Sequence, residues 1–335
     1  MKILFIGGTG TISSSITKQL AQKEGYELTI LNRGHKKEDV PDSVRQLIGD
    51  INNEEEIKAL LAGEFFDVVG EFVAFVPEQV ERDIRLFEGR CRQYIFISSA
   101  SAYQKPLSHY VITESTPLSN PYWQYSRSKI ACEQVLMEAY RNTGFPVTIV
   151  RPSHTYADGS IPLAIHSPKG VWSELMRMKE GKPVIVPGDG RTLWTVTHST
   201  DFARAYIGLI GNPHAIGEPV HITSDESLTW NQIYEIIGNA LGVKPNLVHV
   251  ATDTLVKLNP DLDGPLHGDK CNTVVFDNTK IKRLVPDFCA PLRFDQGVRQ
   301  SLSCLMNRPE LQIPDPQWDA WEDHVIEIAS PSAFS

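Results

Sequence analysis

The sequence predicts an α/β protein, a doubly wound parallel sheet joined to a smaller lobe. Three observations predict it. Short apolar runs recur through the first half without polar alternation, as strands buried on both faces read. Between them lie stretches with apolar residues every three or four positions, as amphipathic helices read. The two kinds of segment alternate at spacings that suit right-handed crossovers between parallel strands.

Each element is justified in turn. "KILFIGG" is a buried strand ending in glycine, and Ile12, Ile16 and Leu20 mark the face of a helix that Gly25 is expected to stop. "YELTILNRG" is a second strand. Asn53 followed three residues later by Glu56 is a helix start, with Ile57, Leu60 and Leu61 as its apolar stripe. "FDVVGEFVAF" is a third buried run, and Pro77 opens a helix carrying Val80, Ile84 and Phe87. "QYIFISSASAY" is a strand, Tyr125 to about Asn142 a helix, and "FPVTIVRP" a strand. After Pro152 the pattern loosens. "SPKGVWSELMRMKEG" and "TWNQIYEIIGNALG" read as helices and "EPVHITS" as a strand, with Ile233, Ile236, Ile237 and Leu241 as core. The last stretch, rich in Pro and Asp, reads as irregular packing around the smaller lobe.

Composition bounds the function. The chain has 335 residues, 41% apolar and 22% charged, as soluble globular proteins do. Its net charge of −9 argues against broad nucleic-acid or membrane binding, which needs a basic surface. Cys91, Cys132, Cys271, Cys289 and Cys304 include no C-x-x-C, and no His pair has ligand spacing, so reduced thiols and no metal are expected. "MKILFIGGTG" is too short an apolar run for a signal peptide, and no other run is long enough to span a membrane. A cytoplasmic location is the expectation.

"FIGGTGTIS" places Gly7, Gly10 and Ser13 between the first strand and the first helix. Gly7 permits a tight turn, Gly10 lets backbone approach a pyrophosphate, and the helix N-terminus offers free N–H groups. This is the start of a Rossmann-type dinucleotide-binding unit, whose alternative is a plain strand–turn–helix. The second strand ends in Asn32-Arg33, where a carboxylate would bind the ribose of NAD and repel a 2′-phosphate. Arg33 is either a partner of that phosphate or a solvated surface residue. NAD(P) is therefore expected, with NADP favoured over NAD. Glu71 interrupts an apolar strand, facing the cofactor or paired as a buried acid.

Twenty-six residues beyond Ser99, "YSRSK" puts Tyr125 and Lys129 four apart, on one face of a helix. Taken alone, that is either a catalytic pair or an ordinary exposed pair. With the glycine turn upstream, the chain resembles the extended short-chain dehydrogenase/reductases, the NAD-dependent epimerase/dehydratase group, over most of its length. "GDINNEEEI", "FVA", "RPSHTY" and "GDGRTLWTVTHSTDFARA" carry the likeness further.

The resemblance implies the following roles. Ser99, Tyr125 and Lys129 would be catalytic. The cofactor would lie on Gly7, Thr9, Gly10, Thr11 and Ile12, then on Asn32, Arg33, Asp50 and Ile51. Its nicotinamide end would meet Phe72, Val73, Ala74, Ser98, Pro152, Tyr125 and Lys129. Ser101, His154, Trp194 and His198 are candidates on the substrate side, with Trp172 a further one. His154, His198 and Trp172 are as readily structural. Free Tyr titrates near 10, and the Lys129 cation together with oxidised nicotinamide would favour its phenolate.

Two departures narrow the chemistry. Ala100 and Ser101 stand where dehydratases of the group carry Asp-Glu. Trp194 and Thr195 stand where nucleotide-sugar epimerases carry a phosphate-gripping Arg and an Asp, although Arg191 lies three residues earlier. The combination of "NRG" with "GDG", "WT" and "TH" further on resembles an outlying branch that contains chloroplast stem-loop RNA-binding proteins and many uncharacterised bacterial oxidoreductases.

The expected organisation is a Rossmann domain over 1–155, with returning segments near 190–225, and a substrate lobe over 156–189 and 226–335. The expected function is hydride transfer at a secondary alcohol of a sugar or sugar derivative, by an epimerase or reductase. The alternatives are a nucleotide-sugar substrate, or a dinucleotide-sensing or RNA-binding protein on the same fold. A carbohydrate is the expected partner, and the resemblance implies a possible homodimer.

Overall fold

The computed structural model describes residues 1–34 and 40–329. Among them, seven strands form one all-parallel sheet: β1 (Lys2–Ile6), β2 (Glu27–Asn32), β3 (Arg45–Ile48), β4 (Phe66–Glu71), β5 (Cys91–Ile97), β6 (Val147–Pro152) and β7 (Pro219–Ile222). Their spatial order is β7-β6-β5-β4-β1-β2-β3. The chain winds outward from β1 in one direction and then from β4 in the other. A crevice opens beyond the carboxyl ends of strands where the winding reverses.

Side-chain alternation divides the core between the sheet's two faces. Ile3 and Phe5 of β1 pack with Ile16, Ile30 and Val68, whereas Leu4 and Ile6 pack with Ile57, Val69 and Phe96 on the other side. The helices α1 (Ser13–Leu20), α2 (Glu54–Leu60), α3 (Pro77–Phe87), α4 (Gln124–Thr143) and α6 (Ser199–Leu209) flank this sheet, while α5 (Trp172–Lys179) and α7 (Trp230–Leu241) belong to the second lobe. The Asn53 carbonyl oxygen of the side chain accepts from Glu56 N–H at 3.4 Å, and Asn53 Nδ2 donates to Glu56 Oε2 at 2.9 Å. That is the helix start read from the sequence.

Three expectations need correction. Helix α1 ends at Leu20, and Gly25, at φ +83°, serves instead the turn into β2. The edge strand β3 was not foreseen, because it is partly exposed and carries no apolar run. The terminal stretch is not irregular. Phe294–Met306 and Pro316–Ala329 are helices, the first buried through Phe294, Val298, Leu302 and Leu305. The prolines between and before them punctuate the helices and do not prevent them.

Candidate active site

The glycine turn lies at the carboxyl end of β1. Gly7 has φ +83°, a region costly for residues with a Cβ, and a Cβ there would come within 2.4 Å of Val73 Cγ1. Ser13 takes the place of a third glycine because its buried hydroxyl is satisfied, accepting from Gly10 N–H at 2.9 Å.

Two adjoining cavities share Gly7, Thr9 and Val73. One, about 450 Å³, runs past Asn32, Arg33, Asp50 and Ile51. The other, about 360 Å³, runs past Gly10, Thr11, Ile12 and Phe72. Arg33 is exposed at the rim. Asn32 Oδ1 accepts from Gly34 N–H at 2.8 Å, which shapes the turn after β2. An elongated double cavity over a glycine cradle and a helix N-terminus fits a dinucleotide.

Glu71 proves to be a buried acid beneath this floor. Its carboxylate accepts from Val73 N–H, and burial followed by the Asp83 charge holds its pKa well above the usual range.

A third cavity, about 260 Å³, joins Ser99, Tyr125 and Pro152 to Ser101, His154 and Trp194. The alternating period of β5 decides which of two neighbouring serines enters it. Ser99 lines the cavity, while Ser98 is buried behind it and donates to Glu133 Oε1 at 2.5 Å. The Ser98 side chain is thus turned away from the cofactor cavities.

Lys129 is 2% exposed and donates to the carbonyls of Ala74, at 2.6 Å, and Ile97, at 2.8 Å. Its ammonium also lies 4.5 Å from the Phe75 ring centre and 6.0 Å from that of Tyr125. Burial pushes the Lys129 pKa down to about 8.

The Tyr125 phenol is largely desolvated. Burial pushes its pKa above the ordinary value, against a smaller downward pull from Ser99. Desolvation is the cause, and Lys129 directs two of its three N–H donors to backbone carbonyls.

Two further candidates lie elsewhere. His198 is buried outside the cavity wall, with Nδ1 2.8 Å from Thr200 Oγ1 and its ring edge-on to Tyr156. Trp172 opens α5 and packs on the second lobe's core. Arg191 is exposed and likewise absent from the cavity wall. Trp194, by contrast, is 2% exposed, stacks on Trp230 at 5.3 Å and closes the cavity with its indole N–H unpartnered. Burial, with Lys270 second, pushes His154 down to about 3, so its imidazole is neutral at neutral pH. Asp269 and Lys270 complete the wall and were missed by sequence reading.

The model of the NAD dependent epimerase/dehydratase family matches residues 3–223. The chain belongs to this family. As a member of the NAD-dependent epimerase/dehydratase family, it is 24% identical over 288 residues to a protein named 2'-dehydrokanamycin reductase from Streptomyces kanamyceticus, covering 86% of the chain and 80% of the relative. It is 28% identical over 264 residues to the chloroplast stem-loop binding protein of 41 kDa b of Arabidopsis thaliana, covering 74% of the chain and 65% of that relative. The UDP-glucuronic acid 4-epimerase of Bacillus cereus, solved with UDP-glucuronic acid and NAD, superposes with a TM-score of 0.74 at 17% identity, over 92% of this chain and 99% of that one. That likeness shows the shared Rossmann-type fold. No described helix of this family member is long and apolar enough to cross a membrane.

Proposed function

We propose that the protein is an NAD(P)-dependent oxidoreductase or epimerase acting at a secondary alcohol or carbonyl of a small sugar or sugar derivative. The observation that carries this reading is the convergence of Ser99 and Tyr125 on one cavity of about 260 Å³ beside the dinucleotide-shaped groove. That volume lies just below the usual range for small-molecule sites, roughly 300–1,000 Å³. It suits a monosaccharide better than a nucleotide sugar.

In this reading Gly7, Thr9, Gly10, Thr11 and Ile12 hold the pyrophosphate, and Asn32, Arg33, Asp50 and Ile51 hold the adenosine. Phe72, Val73, Ala74 and Pro152 flank the nicotinamide ring, and Lys129 meets its ribose. The nicotinamide, when bound, supplies the hydride exchange. The Tyr125 Oη, on the cavity wall, is set to give a proton to a substrate carbonyl oxygen and to take it back from the alcohol in the reverse direction. Ser99 Oγ, 2.9 Å from Ser101 Oγ, positions the same oxygen.

Ala100 and Ser101 offer no carboxylate for eliminating water, so we assign no dehydratase activity. Trp194 offers a ring face for a sugar but no phosphate grip. The net charge of −9 supports a small-molecule partner over nucleic acid.

The test is a panel of UDP-, GDP- and dTDP-sugars against free sugars and sugar acids, with saturating NAD⁺ or NADP⁺, read by nicotinamide absorbance and thermal shift. Turnover among the free compounds is expected. Stabilisation and turnover by nucleotide sugars alone would overturn the reading.

Arg33 carries the NADP preference in this proposal. It lines the adenosine end, and the last residue of β2 is Asn32, not an acid. Arg33→Ala should raise Kd for NADP by roughly 10- to 100-fold, since a bond to a charged group contributes about 1.5–3 kcal/mol. Kd for NAD should change far less. Equal changes for both cofactors, measured by fluorescence titration, would leave Arg33 as a surface residue.

A further inference from the structure

We propose that Lys270 docks the substrate by a carboxylate, so that the substrate class of this cavity is a sugar acid. The inference rests on the reading of the 260 Å³ cavity as the substrate site.

The residues concerned come from one turn. Leu266–Lys270 is a single π-helical turn in the second lobe, and it brings Asp269 and Lys270 into the wall that Ser99, Tyr125 and His154 also line. Wide turns of this kind are uncommon and occur often at functional sites.

Its backbone is firmly held. Asn120 Nδ2 donates to Gly268 O at 2.7 Å and to Ser101 O at 2.9 Å, tying the turn to the loop after Ser99. Trp230 Nε1 donates to Lys270 O at 3.0 Å. The turn's side chains are therefore presented from a fixed frame.

Its charges are not spent inside the protein. Among the described residues, neither the Lys270 ammonium nor the Asp269 carboxylate has a hydrogen-bond or ion-pair partner, although Asp269 and Lys270 feel each other's charge. Behind them Lys105 is 2% exposed, with its ammonium buried and unpartnered. Asp269 is the charge that acts on it most strongly. Two ammonium groups thus share one carboxylate. An unpaired buried charge is costly, and one further negative charge would balance the group.

Burial moves all three groups away from their charged forms, against the opposing pull of their opposite-sign neighbours. A carboxylate supplies the single missing charge. A phosphate monoester, carrying about −1.5 to −2 at neutral pH, would overshoot it. A cationic amino sugar would meet Lys270 with like charge. Asp269, which when ionised only accepts, is then placed to take hydrogen bonds from substrate hydroxyls.

The test compares D-gluconate, D-glucuronate and D-galacturonate with D-glucose and D-galactose, using the wild type, Lys270→Met and Lys270→Arg with saturating NAD⁺ or NADP⁺. Acids should stabilise the wild type in thermal shift more than neutral sugars do. Lys270→Met should raise KM or Kd for acids by roughly 10- to 100-fold, the size of a charge-assisted bond, with kcat within about threefold. Lys270→Arg should recover most of the loss. Neutral sugars should lose far less than acids do, and Lys270→Arg should make no difference to that smaller loss.

Turnover of neutral sugars that Lys270→Met leaves unchanged, with no preference for acids, would overturn this inference and leave the proposed reaction standing. Acid binding that depends on Lys270 without any nicotinamide turnover would do the reverse. No binding by any acid overturns the inference outright.

Discussion

Tyr125→Phe should lower kcat by about 10²- to 10⁴-fold, the usual worth of a positioned acid or base, while the Kd of the nicotinamide cofactor stays within a few-fold. The substitution deletes one hydroxyl from the cavity that Ser99 also lines. The ring remains, so its contacts with Trp123, 4.9 Å between centres, and with Phe75 survive. Lys129 remains too, because its bonds go to the Ala74 and Ile97 carbonyls and not to the phenol. Cofactor binding and proton transfer are therefore separable at this position. Fluorescence titration and steady-state turnover on the same preparation check both halves. Wild-type kcat in the variant would remove Tyr125 from the chemistry. A large loss of cofactor affinity would mean that the hydroxyl holds the cofactor and does not serve the substrate.

Arg151→Met should be the most damaging change to stability, costing about 3–5 kcal/mol, as breaking a buried pair from one side does. Arg151, the residue before Pro152, is 4% exposed and grips Glu133 of α4 through Nε and a terminal nitrogen, at 2.9 and 2.5 Å. Its guanidinium also lies 4.8 Å from the Tyr103 ring centre. Without it, Glu133 is left buried with only Ser98 as donor. Ser98 precedes Ser99, so the fault reaches the cavity wall as well. Adding Glu133→Gln removes the stranded charge and should recover a large part of the loss. Urea unfolding of both variants measures this. A single variant within about 0.5 kcal/mol of wild type, the range of an ordinary surface change, would show that the pair contributes nothing net.

Much of this was legible in the sequence wherever a local pattern carried it. Strands β1, β2, β4, β5 and β6 each hold a short, mostly apolar run, and Asn53 with Glu56 is a local capping signal. Strand β3 carries no such pattern, because an edge strand needs to bury little. The pairing of Tyr125 with Lys129 was legible from helical spacing, but not the direction in which the Tyr125 pKa moves. That depends on burial, and on which acceptors Lys129 finds, both made by residues distant in sequence. Ser98 and Ser99 are chemically identical neighbours, and only the facing of β5 separates the one bound to Glu133 from the one in the cavity. Asp269 and Lys270 were illegible for a similar reason. "LHGDK" has no periodicity to read, and its importance arises only when the second lobe brings it against the loop after β5.

The contact between that turn and Trp123 has a consequence for the range of compounds the protein can accept. A Cβ on Gly264 would lie 2.2 Å from Trp123 Cδ1, and one on Gly268 would lie 2.9 Å from Trp123 Cβ. Trp123 itself lines the cavity. The distance between the two lobes at this point is therefore set by two absent methyl groups, and the indole acts as a spacer seated in the notch they leave. Trading either glycine for alanine would wedge the lobes apart, or swing the indole into the cavity, without changing the identity of any residue that lines it. Substrate size is in this way adjustable independently of the reaction, through a pair of positions that a comparison of cavity-lining chemistry alone would pass over.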